Sequence, residues 1–183
     1  MCWFNIKAEN KERALEVLRH YVTEAEPIIN RQLRSGIEDG EAIRLLDSLF
    51  TDNKHPKYLY RWLPSQYVTL HNNKMIDKAY LSCSKDVDYF ANHVTDRDLT
   101  CCKINTSGCK TIDVCTLLPD CNNEGEFILP RNLVLEVTAD KLYRQTEFTQ
   151  FLRDTHCDFI RDTEMIDIYD IESIRVINAS IQI

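Results

Sequence analysis

The sequence predicts an α+β fold in which helices come first and strands follow. Over residues 8–50, apolar side chains recur at the three- and four-residue spacing of one helix face. From residue 58 onward the chain consists of short β-branched and aromatic runs separated by polar and turn-forming residues. Because strands and helices do not alternate regularly, we expect a helical part and a strand-rich part within one domain, residues 1–183, and no βαβ repeat.

The amino-terminal part is predicted to contain three helices. The first carries its apolar stripe on Ala14, Leu18 and Val22 and is ended or restarted at Pro27. IINRQLRSG predicts a short second helix that Gly36 stops, and DGEAIRLLDSLF predicts a third.

The rest of the chain is predicted to be mainly strands. The strand-like runs are YLYRWL, KAYLSCS, CCKI, TIDVCTLL, FIL, LVLEVT, CDFI and SIRVINASIQI. Two segments with helical spacing, DVDYFANHV and QTEFTQFLRD, interrupt them.

Length and charge exclude several classes of function. A chain of 183 residues with 44% hydrophobic residues buries a core, and it is short enough to favour one domain. A net charge of −7 argues against general binding to nucleic-acid phosphates. No apolar run approaches the roughly 18 residues of a membrane helix, and MCWFNIKAENKER lacks the apolar core of a secretory signal. We therefore expect no membrane insertion and a protein that is cytoplasmic or exported without a conventional signal peptide.

The eight cysteines do not form a metal-binding pattern. No Cys-x-x-Cys occurs and the histidines show no paired ligand spacing, so no metal is expected. Most of the cysteines are interpreted as reduced, small apolar residues in strands, although disulfides stay open for an exported protein.

A pair of carboxylates precedes an apolar strand in the stretch CNNEGEFILPRNLVLEV. Glu124 and Glu126 are two residues apart, so they would point to one side where the strand begins. Two carboxylates placed in this way can act on one substrate. The alternative is that they are solvated loop acids, because the same acid-x-acid spacing recurs at Glu24/Glu26, Asp86/Asp88 and Asp96/Asp98.

Two further strands carry polar groups of the kind that a phosphorylated substrate needs. Arg61 lies inside the aromatic strand LYRWLP, where a guanidinium requires an anion: a diphosphate, or an internal salt bridge. AYLSCS ends with two hydroxyls, Ser82 and Ser84, around Cys83, and Ser84 is also suited to capping the helix that follows.

Arginine, Ser-x-Ser and Glu-x-Glu-Phe-Ile-Leu-Pro, in this order, resemble the mono-ADP-ribosyltransferases of the arginine-serine-glutamate class. That class includes bacterial exoenzymes and effectors of the cholera-toxin and clostridial-toxin types. INRQLR is similar to the Ile-Asn-x-x-Leu-Arg helix before the catalytic strand of the clostridial type. The resemblance covers roughly residues 10–140. It implies two small β-sheets packed face to face around an NAD cleft, with the amino-terminal helices alongside.

The resemblance also implies a role for each motif residue. Arg61 matches the arginine that holds NAD through a phosphate. Ser82 matches the first serine of Ser-Thr-Ser, which lines the NAD pocket and steadies the catalytic glutamate. Glu126 matches that glutamate, and Glu124 matches the residue that acts on the acceptor.

Supplementary contacts to the NAD phosphates are implied for Asn30 and Arg34. The chain departs from the family pattern at two positions. Trp62 follows the arginine where the family often has a small residue, and Cys83 replaces the threonine of Ser-Thr-Ser. Cys83 is expected to point into the core, because its neighbours face the pocket.

The implied reaction transfers ADP-ribose from NAD to a side chain of a target protein. Glutamate at position 124 goes with an arginine acceptor in the family, and other acceptors such as a residue of ubiquitin occur. A bacterial or phage enzyme acting in the cytosol of another cell is the implied setting. Candidates for stacking against nicotinamide are taken from position alone, with a core role as their alternative: Tyr80, Tyr89, Phe90 and Phe127.

Two other classes of function stay open at this point. In the first class, the chain has the same fold but is a non-catalytic module that binds NAD or a protein. If calorimetry detected no NAD binding, a protein-binding module would be favoured. The second is a cysteine-dependent hydrolase that uses Cys83, Cys109 or Cys157 with a histidine as base. Inhibition by iodoacetamide with no requirement for NAD would favour the hydrolase.

Overall fold

A computed structural model describes residues 3–52, 54–87, 96–121, 125–155 and 171–182, with side chains from residue 9 onward. The predicted α+β class is confirmed. The predicted strand CDFI and most of the predicted helix DVDYFANHV lie outside the described residues.

The three amino-terminal helices are present. Helix α1 (Trp3–His20) passes through a π-helical turn (Tyr21–Ala25) into α2 (Glu26–Arg34), and α3 spans Glu41–Asp47. The restart predicted at Pro27 agrees with the structure, because Pro27 lies in the first turn of α2, directly after the π-helical turn.

Eight strands follow the helices in the described residues. Their bounds are β1 (Tyr58–Pro64), β2 (Lys74–Asp77), β3 (Leu81–Ser84), β4 (Asp98–Asn105), β5 (Ile112–Asp113), β6 (Glu126–Leu129), β7 (Leu133–Arg144) and β8 (Ser173–Ile181). Two short helices lie among them, α4 (Val114–Leu117) and α5 (Phe148–Thr155). Helix α5 and the 3₁₀ turn before it confirm the helical prediction for QTEFTQFLRD.

The prediction of a strand along TIDVCTLL was wrong beyond its first residues. Strand β5 ends at Asp113, and the chain then turns into α4. The Asp113 carboxylate caps this helix by accepting hydrogen bonds from the Thr116 backbone N–H at 3.0 Å and from the Thr116 hydroxyl at 2.8 Å. A side-chain cap thus overrides the β-branched composition of the segment.

The strands hydrogen-bond in the order β2-β7-β8-β4-β1-β3-β6-β5. Strands β1 and β3 are paired at a single register, Tyr60 opposite Ser84, whereas β1 and β4 are paired along the whole of β1. The sheet therefore consists of a five-stranded part and a three-stranded part, joined at one residue pair.

The two parts must pack face to face. Strands β6 and β7 are five positions apart in the strand order, which is about 24 Å in a flat sheet. Only residues 130–132 join them, and the step from Leu129 to Leu133 spans at most about 14 Å. The sheet therefore folds back on itself, which gives the two layers that the resemblance implies.

Three apolar clusters fill the resulting layers. The first lies between α1–α3 and the three-stranded part, and includes Leu18, Tyr80 and Ile128. The second lies between the two sheet parts, and the third lies between the five-stranded part and α5. The three clusters pack against the strands on both sides of the β1–β3 seam, which positions the side chains there.

Candidate active site

Arg61 lies where β1 separates from β3. Its Nη1 donates a hydrogen bond of 2.7 Å to the backbone carbonyl of Ser82. The partly buried guanidinium thereby bridges the two sheet parts one residue beyond Tyr60 and Ser84, the register pair that joins them within the described residues. The hydrogen bond across the seam positions Arg61, the arginine that the sequence analysis identified.

Ser82, Ser84 and Glu126 share one face of the β3–β6 pair. Ser84 is directly opposite Glu126, and Ser82 is two residues away along β3. Cys83 points to the other face, into the core between the sheet parts, as expected. Glu126 is partly exposed at the start of β6.

The hydroxyl of Ser82 is buried without a protein partner. The residue is 8% exposed, and its Oγ makes no hydrogen bond with the described residues. A buried polar group without a partner costs folding free energy, so a ligand that supplied the partner would gain from it. Ser84 differs, since its Oγ accepts a hydrogen bond of 3.0 Å from the Asp86 backbone N–H. The helix that Ser84 was expected to cap lies outside the described residues.

A cavity of about 750 Å³ opens beside Arg61. Its wall is formed by the second half of β1, by β2 and the turn after it, and by the end of α2. Three cationic side chains, Arg34, Arg61 and Lys78, line it with one carboxylate, Asp77. In a chain whose net charge is −7, this local excess of positive charge favours an anionic ligand.

Arg34 is held by Asp77 in this cavity. Its Nε and Nη2 donate to the two carboxylate oxygens at 3.1 and 2.8 Å, a bidentate pair. Asp77 also accepts the Ala79 backbone N–H at 2.9 Å. The Nη1 of Arg34 makes no hydrogen bond with the described residues, and its side chain is 49% exposed. Arg34 is thus oriented, with donors left for an anion.

Asn30 does not line this cavity. It is 3% exposed, and its Nδ2 donates to the Tyr80 carbonyl at 3.3 Å and to Glu26 Oε1 at 3.3 Å. Its Oδ1 accepts the Tyr21 hydroxyl at 3.3 Å. Asn30 therefore connects α2 to the residue immediately before β3, which positions Ser82.

The charges of Arg61 and Glu126 both act on the pKa of the buried Tyr21 hydroxyl. Burial raises its pKa, and Glu26 and Glu126 raise it further. The Arg61 guanidinium acts on the pKa of Tyr21 in the opposite direction. Arg61 and Glu126 therefore lie close enough to influence one hydroxyl from opposite sides of the seam.

The turn before Glu126 is tightly packed. Gly125 has a φ of +63°, and its carbonyl accepts the Lys85 backbone N–H at 3.1 Å. A Cβ on Gly125 would lie 2.9 Å from the Lys85 Cε. Glu124, which was predicted to act on the acceptor, lies outside the described residues.

The residues predicted to stack against nicotinamide are either buried in the core or outside the described residues. Tyr80 and Phe127 are buried at 1% and 6% exposure, which supports the core alternative, whereas Tyr89 and Phe90 lie outside the described residues. Trp62 is a wall residue of the cavity, and its indole N–H donates to the Val87 carbonyl at 2.6 Å.

The cysteines of the hydrolase hypothesis are placed unfavourably for nucleophilic attack. Burial raises the pKa of the Cys83 thiol to about 12 and that of Cys109 to about 11. His55 approaches the backbone carbonyl of Cys109 at 2.8 Å, while the Cys109 thiol donates to the Lys110 carbonyl. Cys157 lies outside the described residues. No cysteine and histidine pair of the required geometry therefore supports this hypothesis among the described residues.

Sequence reasoning missed several cavity residues. Asp77 and Lys78 lie in KMIDKAY, where the sequence predicts a strand only from Lys78 onward and gives no sign that these residues lie beside Arg61. Tyr67 and Ile76 lie on the rim, and their exposure has no signature in the sequence. Tyr67 follows β1 in the 3₁₀ turn, whereas Ile76 is on β2, whose position at the edge of the five-stranded part depends on its pairing with β7.

None of the described helices is both long and apolar enough to span a bilayer. No group of three or more His, Cys, Asp or Glu side chains in the described ranges is arranged to hold a metal ion.

No protein-family model matches the sequence, and no curated protein matches it either. Solved structures do match. The SpvB ATR domain of Salmonella superposes with a TM-score of 0.66 at 18% identity, covering 93% of this chain and 99% of that one. Plx2a, an ADP-ribosyltransferase toxin from Paenibacillus larvae, gives 0.59 at 16% identity, covering 94% and 87%.

A third similar structure is the ADP-ribosylating toxin BECa of a C. perfringens binary enterotoxin, solved with NADH. It gives a TM-score of 0.61 at 14% identity, covering 94% of this chain and 43% of that one. The three structures share the layered arrangement of this chain along nearly all of its length. The protein therefore has the fold of the bacterial mono-ADP-ribosyltransferase toxin domains.

Proposed function

We propose that the protein is an NAD-dependent mono-ADP-ribosyltransferase that modifies a target protein. The observation that carries the proposal is the cavity at the β1–β3 seam. Arg34, Arg61 and Lys78 line it, and the carboxylate of Glu126 belongs to the adjoining β3–β6 strand pair and not to the cavity lining. The reaction requires cationic side chains that bind the pyrophosphate of NAD. It also requires a carboxylate close to the ribose.

The arginines would bind the NAD pyrophosphate. Arg61 is already oriented by the Ser82 carbonyl, and Arg34 by Asp77, so little side-chain entropy is lost when the phosphates bind. Arg61 donates from one terminal nitrogen to Ser82, which leaves the rest of its fork for phosphate oxygens.

Glu126 would promote cleavage of the bond between nicotinamide and ribose. As this bond breaks, its electron pair leaves with nicotinamide and positive charge develops on the ribose. A carboxylate that accepts a hydrogen bond from a ribose hydroxyl stabilises this charge most strongly in the transition state. Ser84, opposite Glu126, and Ser82, further along the same face, supply hydroxyls that orient the carboxylate or the ribose.

The second half of the reaction joins the acceptor to the ribose. A new bond forms between the acceptor atom and the ribose carbon, and the acceptor loses a proton. We assign that proton to Glu124, which precedes Gly125 and Glu126 in the chain. Arginine is the favoured acceptor, with other side chains, such as one of ubiquitin, as alternatives.

The target is proposed to be a protein of another cell, as expected for a toxin or effector domain. With its negative net charge, the enzyme would associate most readily with a basic region of that protein. The proposal places the reaction in the host cytosol and requires no metal.

The test is to incubate the purified protein with labelled NAD and a whole-cell lysate. Labelled protein bands are expected for the wild type and not for Glu126→Ala or Glu124→Ala. Glu16→Ala is the matched control, since Glu16 is exposed on α1 away from the cavity.

The two glutamates are separated by nicotinamide release without an acceptor. Glu124→Ala should still cleave NAD slowly to ADP-ribose, whereas Glu126→Ala should not. If NAD binds with no nicotinamide release in any lysate, the chain is the non-catalytic module of the same fold, and the transferase proposal is rejected.

A further inference from the structure

Two large apolar side chains are unusually exposed at the rim of the cavity. Among such side chains in the described parts of the chain, Tyr67 is the most exposed, at 71%, and Ile76 is exposed at 60%. Both line the same cavity as Arg34 and Arg61. Exposed apolar surface that converges on a cavity indicates a ligand that covers it.

The order of residues along β1 assigns the two ends of the cavity. Tyr60 is at the seam, in register with Ser84 and, through it, with Glu126. Arg61 comes next, and the strand then runs away from Glu126 through Pro64 to a 3₁₀ turn that ends at Tyr67. Arg61 thus lies between the carboxylate and the apolar rim.

A dinucleotide has the same order of chemical groups. Its pyrophosphate lies in the middle, with the nicotinamide ribose on one side and adenosine on the other. When the phosphates bind Arg61 and the nicotinamide ribose reaches Glu126, the adenosine must extend toward the rim. The rim offers a phenol ring from the 3₁₀ turn after β1 and a branched aliphatic side chain from β2.

We propose that Tyr67 and Ile76 contact the adenine ring of the dinucleotide, an inference that rests on the proposed function. A flat heterocycle stacks on the face of a tyrosine ring and packs against an aliphatic side chain. Binding removes both side chains from water, which explains why they are exposed in the protein alone. The two residues are then determinants of specificity for the purine half of NAD.

The inference makes the contribution of Tyr67 depend on the purine. Nicotinamide release is measured with NAD and with nicotinamide mononucleotide, which keeps the scissile bond and lacks the adenosine half. Tyr67→Ala should lower kcat/KM for NAD about tenfold, the loss of one stacked base, and leave the value for the mononucleotide unchanged. Ile76→Ala should act in the same direction, and Tyr67→Phe should keep the wild-type value.

Tyr58→Ala is the matched control. Tyr58 is 37% exposed at the opposite end of β1 and does not line the cavity. It should behave as wild type with both substrates. Equal losses with NAD and with the mononucleotide, or no loss with either in Tyr67→Ala, would overturn the inference.

Calorimetry with ADP-ribose separates this inference from the proposed function, because binding needs no cleavage. Wild-type protein should bind ADP-ribose, and Tyr67→Ala should bind it about tenfold more weakly. If NAD is cleaved while ADP-ribose binding is unaffected by Tyr67→Ala, the adenine assignment alone fails. If ADP-ribose binding depends on Tyr67 while NAD is never cleaved, the transferase proposal alone fails.

Discussion

Gly125 determines where the carboxylate of Glu126 lies. It is buried at the start of β6 with a φ of +63°, a conformation that side chains with a Cβ rarely adopt. The Lys85 stem also packs against it, so that a Cβ would lie 2.9 Å from Cε and 3.0 Å from Cγ. The turn has room for hydrogen only.

We expect Gly125→Ala to lose most nicotinamide release, because strain and the Lys85 contact both displace Glu126. The strain alone should lower the free energy of unfolding by about 1–2 kcal/mol. Gly36→Ala is the control: Gly36 has a φ of +90° with nothing within 4 Å of the added Cβ. It should lower stability similarly in thermal unfolding and keep activity. Full activity in Gly125→Ala would contradict this account of the turn.

At the scale of single residues, most of the proposed site could be predicted from residue type and from the order of the residues along the chain. An arginine in an aromatic strand and a Ser-x-Ser strand end are visible in the sequence, and the structure brings Arg61 and Ser82 together. Lys78 was not predictable, because its proximity to Arg61 depends on which strands pair and not on local pattern.

At the scale of elements, α2 supports β3 from behind. The hydrogen bond from Asn30 to the Tyr80 carbonyl connects the helix to the chain immediately before Ser82. Asn30 was predicted to contact NAD, and its burial makes a positioning role the more direct interpretation. Its three hydrogen bonds leave little capacity for a phosphate.

Asn30→Ala should therefore destabilise the protein and reduce activity indirectly. Leaving the Tyr80 carbonyl and the Tyr21 hydroxyl without this partner should cost about 1–3 kcal/mol in the free energy of unfolding by denaturant. Gln32→Ala, an exposed position on the same helix, should have little effect. If Asn30→Ala kept wild-type stability and only weakened NAD binding, the original assignment as a phosphate contact would be correct instead.

Elements with strong periodicity or composition were predicted well, and short polar ones were not. The apolar stripes of α1–α3, the aromatic run of β1 and the β-branched runs of β7 and β8 follow from burial. Strand β2, KMID, was missed because it is a short edge strand that is only partly buried. The capped turn at Asp113 was missed because one hydrogen-bonding side chain outweighed composition.

At the scale of the whole molecule, ion pairs link the outer helix to the five-stranded part. Asp154 of α5 accepts hydrogen bonds from Lys141 and Tyr143 of β7 and from Gln150 of its own helix, which lower its pKa from 3.8 to about 2. Asp140 of β7 has its pKa lowered by the hydrogen-bonded guanidinium of Arg175 on β8.

Acid should therefore destabilise the fold over a defined range. A carboxyl group with a lowered pKa in the folded state contributes stability above its unfolded pKa, and this contribution is lost as the pH falls through the folded value. The unfolding temperature should fall between about pH 4 and pH 2. Asp154→Asn should flatten this dependence, while Asp39→Asn, an exposed position on another surface, should not. Equal slopes in both variants would contradict the assignment.

The overall fold was predicted through the resemblance more than through the pattern of helices and strands. That pattern gives α+β and the order of elements, but not that β8 is inserted between β7 and β4. Such pairing joins residues far apart in the chain and leaves no local signal. The single pairing of β1 with β3, which opens the cavity, is a property of the assembled layers alone.

The central claim is that Glu126 acts on NAD held by Arg61, and the most direct test is the rate of nicotinamide release beside NAD affinity. The account predicts that Glu126→Gln lowers kcat by about 10²–10³ while NAD binds nearly as in the wild type. Arg61→Ala should instead weaken NAD binding. Wild-type rates in Glu126→Gln, with NAD cleaved as before, would show that this carboxylate is not the catalytic group.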